Sequence, residues 1–130
     1  MGAPLRKLTF SALVILIVLG ASLVGTDIAA QNRKSVWDGV YAPEQAARGK
    51  ATFETTCAGC HAADLSGLSG PALAGDRFKT KWDFQALNQL FTEIRTRMPR
   101  NNPSTLSDET YLELVTFLLQ ANAFPSGTEP

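Results

Sequence analysis

Apolar residues recur at helical spacing in three stretches of the chain, and polar, glycine-rich or proline-rich segments separate them. Ala46, Gly49, Phe53 and Cys57 share the first stripe, which Pro43 opens. Proline suits a first helical position because its missing N–H would have no partner there, and Glu44 puts negative charge at the positive end of the helix dipole. Leu87, Leu90, Phe91 and Ile94 follow the i, i+3, i+4, i+7 pattern of a second helix, with Asp83 as its expected cap and Pro99 beyond its end. Leu114, Phe117, Leu118 and Ala121 lie on one face of a third, for which Ser107 is the expected N-cap and Asp108 and Glu109 fill the first turn. Between these, Ala62 to Thr80 reads as loop, and "RMPRNNPS" from Arg97 to Ser104 is too dense in turn formers for regular structure. No alternating, strand-like pattern is present, so the sequence predicts an all-α fold with three main helices and long loops.

A different pattern occupies the N-terminus. Arg6 and Lys7 precede an uncharged run that contains "LVILIVL" at Leu13 to Leu19, and no charge returns until Asp27. A basic start, a compact apolar stretch and small residues near Ala29 and Ala30 match a secretory signal peptide cut after Ala30. Residues 8–26 also approach the roughly 20 needed to span a bilayer, so an uncleaved membrane anchor is the alternative. The expected organisation is therefore residues 1–30 as signal peptide or anchor, 31–41 as a linker or N-terminal extension, and 42–130 as one domain. Either reading places that domain outside the cytoplasm.

Charge and composition narrow the partners. Twelve basic and 12 acidic residues cancel, which offers no general attraction for nucleic acid. Contact with a membrane is expected only if the N-terminal segment stays attached. Locally the balance differs, because Arg77, Lys79, Lys81, Arg95, Arg97 and Arg100 make one part of the chain basic. Such a cluster is a solvated face, a partner for anionic groups of a cofactor, or a docking surface for an acidic protein.

The sharpest signal is "CAGCH", Cys57 to His61, which holds both cysteines and the only histidine. A c-type haem needs two thiols for its two vinyl groups and an imidazole for its iron, and C-x-x-C-H supplies all three on one turn. Ala58 and Gly59 leave room for that close approach. Other readings of the motif fit less well. A thioredoxin-like pair needs a βαβ context, structural zinc wants four ligands where three exist, and a disulfide between Cys57 and Cys60 would close only a tiny loop.

Iron bound by His61 has a sixth position, for which Met98 is the candidate: its thioether is a soft ligand, and beyond the initiator it is the only methionine. The bland alternative is that Met98 simply packs. The Pro71 carbonyl is a candidate acceptor for the other imidazole N–H, and Trp82 a candidate donor to a haem propionate.

These residues together resemble a monohaem class I cytochrome c from about Ala42 to Phe124. Gly49 and Phe53 precede Cys57 at the family's spacing, which implies that the first helix packs across the last at Leu114 and Phe117. "GPALAG" resembles the family's proline loop, and Met98-Pro99 its axial-methionine segment. The stretch "VWDGVYAPEQAARGKATFETTCAGCH" is also similar to bacterial cytochromes associated with periplasmic dehydrogenases, including quinoprotein alcohol dehydrogenases. The resemblance implies one haem c held through Cys57 and Cys60, iron ligated by His61 and Met98, redox proteins as partners (a periplasmic dehydrogenase or a respiratory complex) and an electron carrier rather than an enzyme. A haem-dependent ligand-binding or peroxidase-like protein with Met98 displaced is the rival, although no second histidine is available as a distal acid/base.

Overall fold

A computed structural model of the chain describes residues 34–128; the expected signal peptide or anchor lies outside the described residues. The order of elements is α1 (Pro43–Thr56), α2 (Ala58–His61), α3 (Asp76–Trp82), α4 (Leu87–Arg97) and α5 (Asp108–Ala121). Among the described residues there is no strand, only an isolated antiparallel bridge between Ser35 and Ala86. No helix among them is long and apolar enough to cross a membrane.

The helix α1 begins at Pro43, where the Gln45 side chain accepts from the Ala42 N–H at 2.9 Å. Its buried face, Ala46, Gly49 and Phe53, lies across α5, and the absent side chain of Gly49 is what lets the two backbones meet. A Cβ there would sit 1.8 Å from the Glu113 carbonyl oxygen. One turn on, the rings of Phe53 and Phe117 pack 5.2 Å apart. Arg48 pairs with Glu113 beside the same crossing. On α5 the Ser107 hydroxyl accepts from the Thr110 N–H at 3.1 Å, as expected of an N-cap, and Tyr111, Leu114, Val115, Phe117, Leu118 and Leu119 are buried. This crossing is the core of the domain.

Two features differ from the sequence expectations. Part of the segment read as loop is α3, whose Phe78 and Trp82 are four residues apart and both buried. Seven residues with only two core positions give too little periodicity to stand out from the glycine-rich surroundings. The end of α3 also reassigns Asp83. It does not cap α4, whose N-cap is Ala86; its carboxylate instead accepts from the Trp37 indole N–H at 2.5 Å.

Residues 34–41 form a strap along the domain. The Leu87 N–H donates to the Lys34 carbonyl at 2.7 Å, and Val36 and Tyr41 are buried. The Tyr41 hydroxyl donates to the Phe124 carbonyl at 2.9 Å, Trp37 meets Phe124 edge to face at 4.9 Å, and the Gly127 N–H donates to the Tyr41 carbonyl at 2.8 Å. The polar stretch before Trp37 thus joins the fold, because its backbone groups find partners on α4.

Candidate functional site

The helix α1 delivers Cys57 directly into the single turn of α2. Cys57 N–H donates to the Phe53 carbonyl at 2.8 Å, and the Cys60 and His61 N–H groups donate to the Cys57 carbonyl at 3.1 and 3.0 Å. Both thiols and the imidazole therefore sit on one rigid turn. The chain then folds back under that turn: Leu68 and Gly70 N–H groups donate to the Cys60 carbonyl at 3.0 and 2.8 Å, and Gly67 N–H donates to the His61 carbonyl at 2.9 Å.

His61 is buried, and its Nδ1 lies 2.8 Å from the Pro71 carbonyl oxygen. A carbonyl can only accept, so Nδ1 carries a proton, and in the neutral ring this leaves the Nε2 lone pair for a metal. The Gly70 backbone lies against the ring, at a distance where a Cβ would come within 2.7 Å of Cε1.

Asn122, which the sequence reading passed over, holds this loop in place. Its Oδ1 accepts from the Gly75 N–H at 3.0 Å, and its Nδ2 donates to the Leu73 and Leu118 carbonyls, both at 2.9 Å. Buried at the end of α5, it ties the segment that positions His61 to the main helix crossing. Asn122→Ala leaves the Gly75 N–H and the Leu73 carbonyl without this partner and is expected to cost about 3 kcal/mol of stability, read from the midpoint of a urea titration; an unchanged midpoint would mean that water replaces the amide.

Cys57, Cys60, His61, Pro71, Trp82 and Met98 all line one cleft of about 910 Å³. That volume lies within the range of roughly 300–1,000 Å³ usual for cofactor sites. Apolar side chains, Phe53, Phe78, Leu90, Ile94, Leu114 and Leu118, furnish much of its wall, while Arg77, Lys81 and Arg100 also border it. Of the basic cluster, Lys81 and Arg97 approach Glu93 at 3.9 and 3.4 Å and Arg95 pairs with Asp108 at 2.5 Å, whereas Arg77, Lys79 and Arg100 have no carboxylate partner among the described residues. Lys81 lies 4.5 Å over the Trp82 ring.

This arrangement suits a flat apolar group with anionic substituents: two thiols and an imidazole from one turn, a methionine lining the same cleft, apolar walls and guanidinium groups without a carboxylate partner. It does not suit a thiol oxidoreductase. Such a centre needs a lowered thiol pKa, and here burial, with a smaller contribution from Cys60, pushes the Cys57 thiol up to about 11. Among the described residues there is also no cluster of three or more His, Cys, Asp or Glu that would hold a metal ion by itself.

Comparison with known proteins agrees. The family model described as cytochrome c oxidase, cbb3-type, subunit III, matches residues 44–118. The crystal structure of the sulfane dehydrogenase SoxCD from Paracoccus pantotrophus is similar at a TM-score of 0.51 and 28% identity, over 66% of this chain. This chain spans only 52% of the length of that one. No curated protein sequence gives a significant match. The family match covers more than half of the chain and includes the whole of the Cys57–His61 turn, and the chain accordingly belongs to the c-type cytochromes of class I, with one haem c attached through Cys57 and Cys60.

Proposed function

We propose that this protein is an exported one-electron carrier of the bacterial periplasm, passing electrons from a dehydrogenase or respiratory donor to an acceptor without making or breaking substrate bonds. The observation that carries the proposal is that His61 and Met98 line one cleft. When bound, the haem iron supplies a one-electron couple, whose potential a His/Met ligand pair raises.

The chain's own contribution is to hold two ligands still. His61 is fixed through Pro71, and Met98 follows the last turn of α4, with its N–H donating to the Ile94 carbonyl at 2.9 Å. A ligand set that neither leaves nor shifts needs little reorganisation when one electron arrives. The buried apolar wall excludes water from the metal side, and Trp82, Arg77 and Arg100 border the same cleft, where in this reading they would meet the propionates. A dehydrogenase as donor is suggested by the likeness to the sulfane dehydrogenase, and export by the N-terminal pattern of the sequence.

The test is the optical spectrum of the haem-loaded protein in both oxidation states. The oxidised form is expected to show the weak charge-transfer band at long wavelength that marks methionine sulfur on ferric haem. Met98→His is expected to keep the spectrum low-spin, abolish that band and lower the reduction potential by on the order of 100 mV, a small part of the roughly 0.8 V that axial ligands span. Haem binding without the band in the parent protein would remove Met98 from the iron and make ligand-binding or peroxidase chemistry the better reading.

A further inference from the structure

We infer that Tyr111 is a latch on the Met98 segment, and that its hydroxyl sets how readily an outside ligand displaces the methionine. The inference rests on the reading of Met98 as an axial ligand. Tyr111 lies in the first turn of α5 and is fully buried. Its hydroxyl donates to the Met98 carbonyl at 2.8 Å and takes a longer contact, 3.4 Å, from the Leu106 N–H. One side chain thus grips both ends of the loop between α4 and α5.

The other ties of this loop are of a different kind. The Ser104 N–H and hydroxyl both donate to the Arg95 carbonyl at 3.1 Å, the Asn102 N–H donates to the Pro99 carbonyl at 2.8 Å, and Arg95 pairs with Asp108. The Ser104 hydroxyl contact and the ion pair lie at the exposed surface, where water can replace either at little cost. The Tyr111 contact is part-buried and comes from a fully buried side chain, so water replaces it less readily than the exposed ties.

In this inference the thioether would leave the iron with an outward movement of the backbone that carries it, which would break the bond from Tyr111 to the Met98 carbonyl. In a phenylalanine variant the closed loop would keep a carbonyl and an N–H without their partner, whereas the open loop would give both to water. The equilibrium therefore shifts toward opening, and a competing ligand gains the difference.

The experiment titrates imidazole into the oxidised, haem-loaded protein and follows loss of the methionine charge-transfer band, in the parent, Tyr111→Phe and Tyr41→Phe. Tyr41 is the control because it too is a buried tyrosine donating to a backbone carbonyl, that of Phe124, and it lines no part of the cleft. The expected result is that Tyr111→Phe retains the band before titration and binds imidazole about tenfold more tightly than the parent, while Tyr41→Phe matches the parent. Equal affinity in Tyr111→Phe and parent overturns the latch, as does an equal gain in both variants, which would show general loosening. If the parent itself lacks the band and Met98→Ala leaves its imidazole affinity unchanged, the ligand assignment fails, and the latch fails with it.

Discussion

Gly49→Ala is expected to prevent the domain from closing, with a loss of more than about 3 kcal/mol from a total that for such domains runs to roughly 5–15 kcal/mol. The added Cβ would lie 1.8 Å from the Glu113 carbonyl oxygen, 2.4 Å from its carbon and 3.0 Å from the Leu114 nitrogen. These are backbone atoms of α5, so no side-chain rotation relieves the overlap. The helix α1 has to rise, and lifting it parts Phe53 from Phe117 and shifts the Cys57–His61 turn carried at its end. Alanine is the better helix former by about 1 kcal/mol, so a measured loss cannot come from helix propensity. A urea titration of the haem-loaded variant checks the magnitude; a midpoint equal to that of the parent protein would show that the helices cross elsewhere.

Gly70→Ala is expected to strike the iron site instead of the core. Its Cβ would sit 2.7 Å from Cε1 and 2.9 Å from Nδ1 of His61, and the ring cannot swing aside without losing the Pro71 carbonyl. Loss of such an outer hydrogen bond typically weakens metal binding by roughly 10–100-fold. The outcome to look for is a mixed-spin or high-spin oxidised spectrum with partial loss of the imidazole ligand, at a stability closer to the parent than that of Gly49→Ala. Gly59→Ala is the matched control, since a Cβ at Gly59 has nothing within 4 Å. A fully low-spin Gly70→Ala protein would mean that the loop yields and the imidazole does not depend on its position.

What could be read in the sequence was short-range. The Cys57–His61 turn is complete within five residues, and the stripes of α1, α4 and α5 repeat often enough to reveal their helices. The residues that were missed act over long separations or in short elements. Nothing local distinguishes Asn122 from any polar residue after a helix, yet it binds Leu73 and Gly75. Tyr111 looks like one more apolar position of α5 until the fold brings the Met98 carbonyl to its hydroxyl. Asp83 followed by a helical stripe suggested a cap because capping is local; its actual partner, Trp37, lies 46 residues away.

The strap has an architectural consequence. Tyr41, near the beginning of the described fold, is bonded to Phe124 and Gly127 at its end, and no residue from 34 to 41 or from 124 to 127 borders the cleft. The strap thus runs from the start of α4 to the C-terminal segment and fastens the two without walling the cleft. The seam between residues 34–41 and 124–127 works like the clasp of a collar: it fastens the two segments to each other while neither of them walls the cleft.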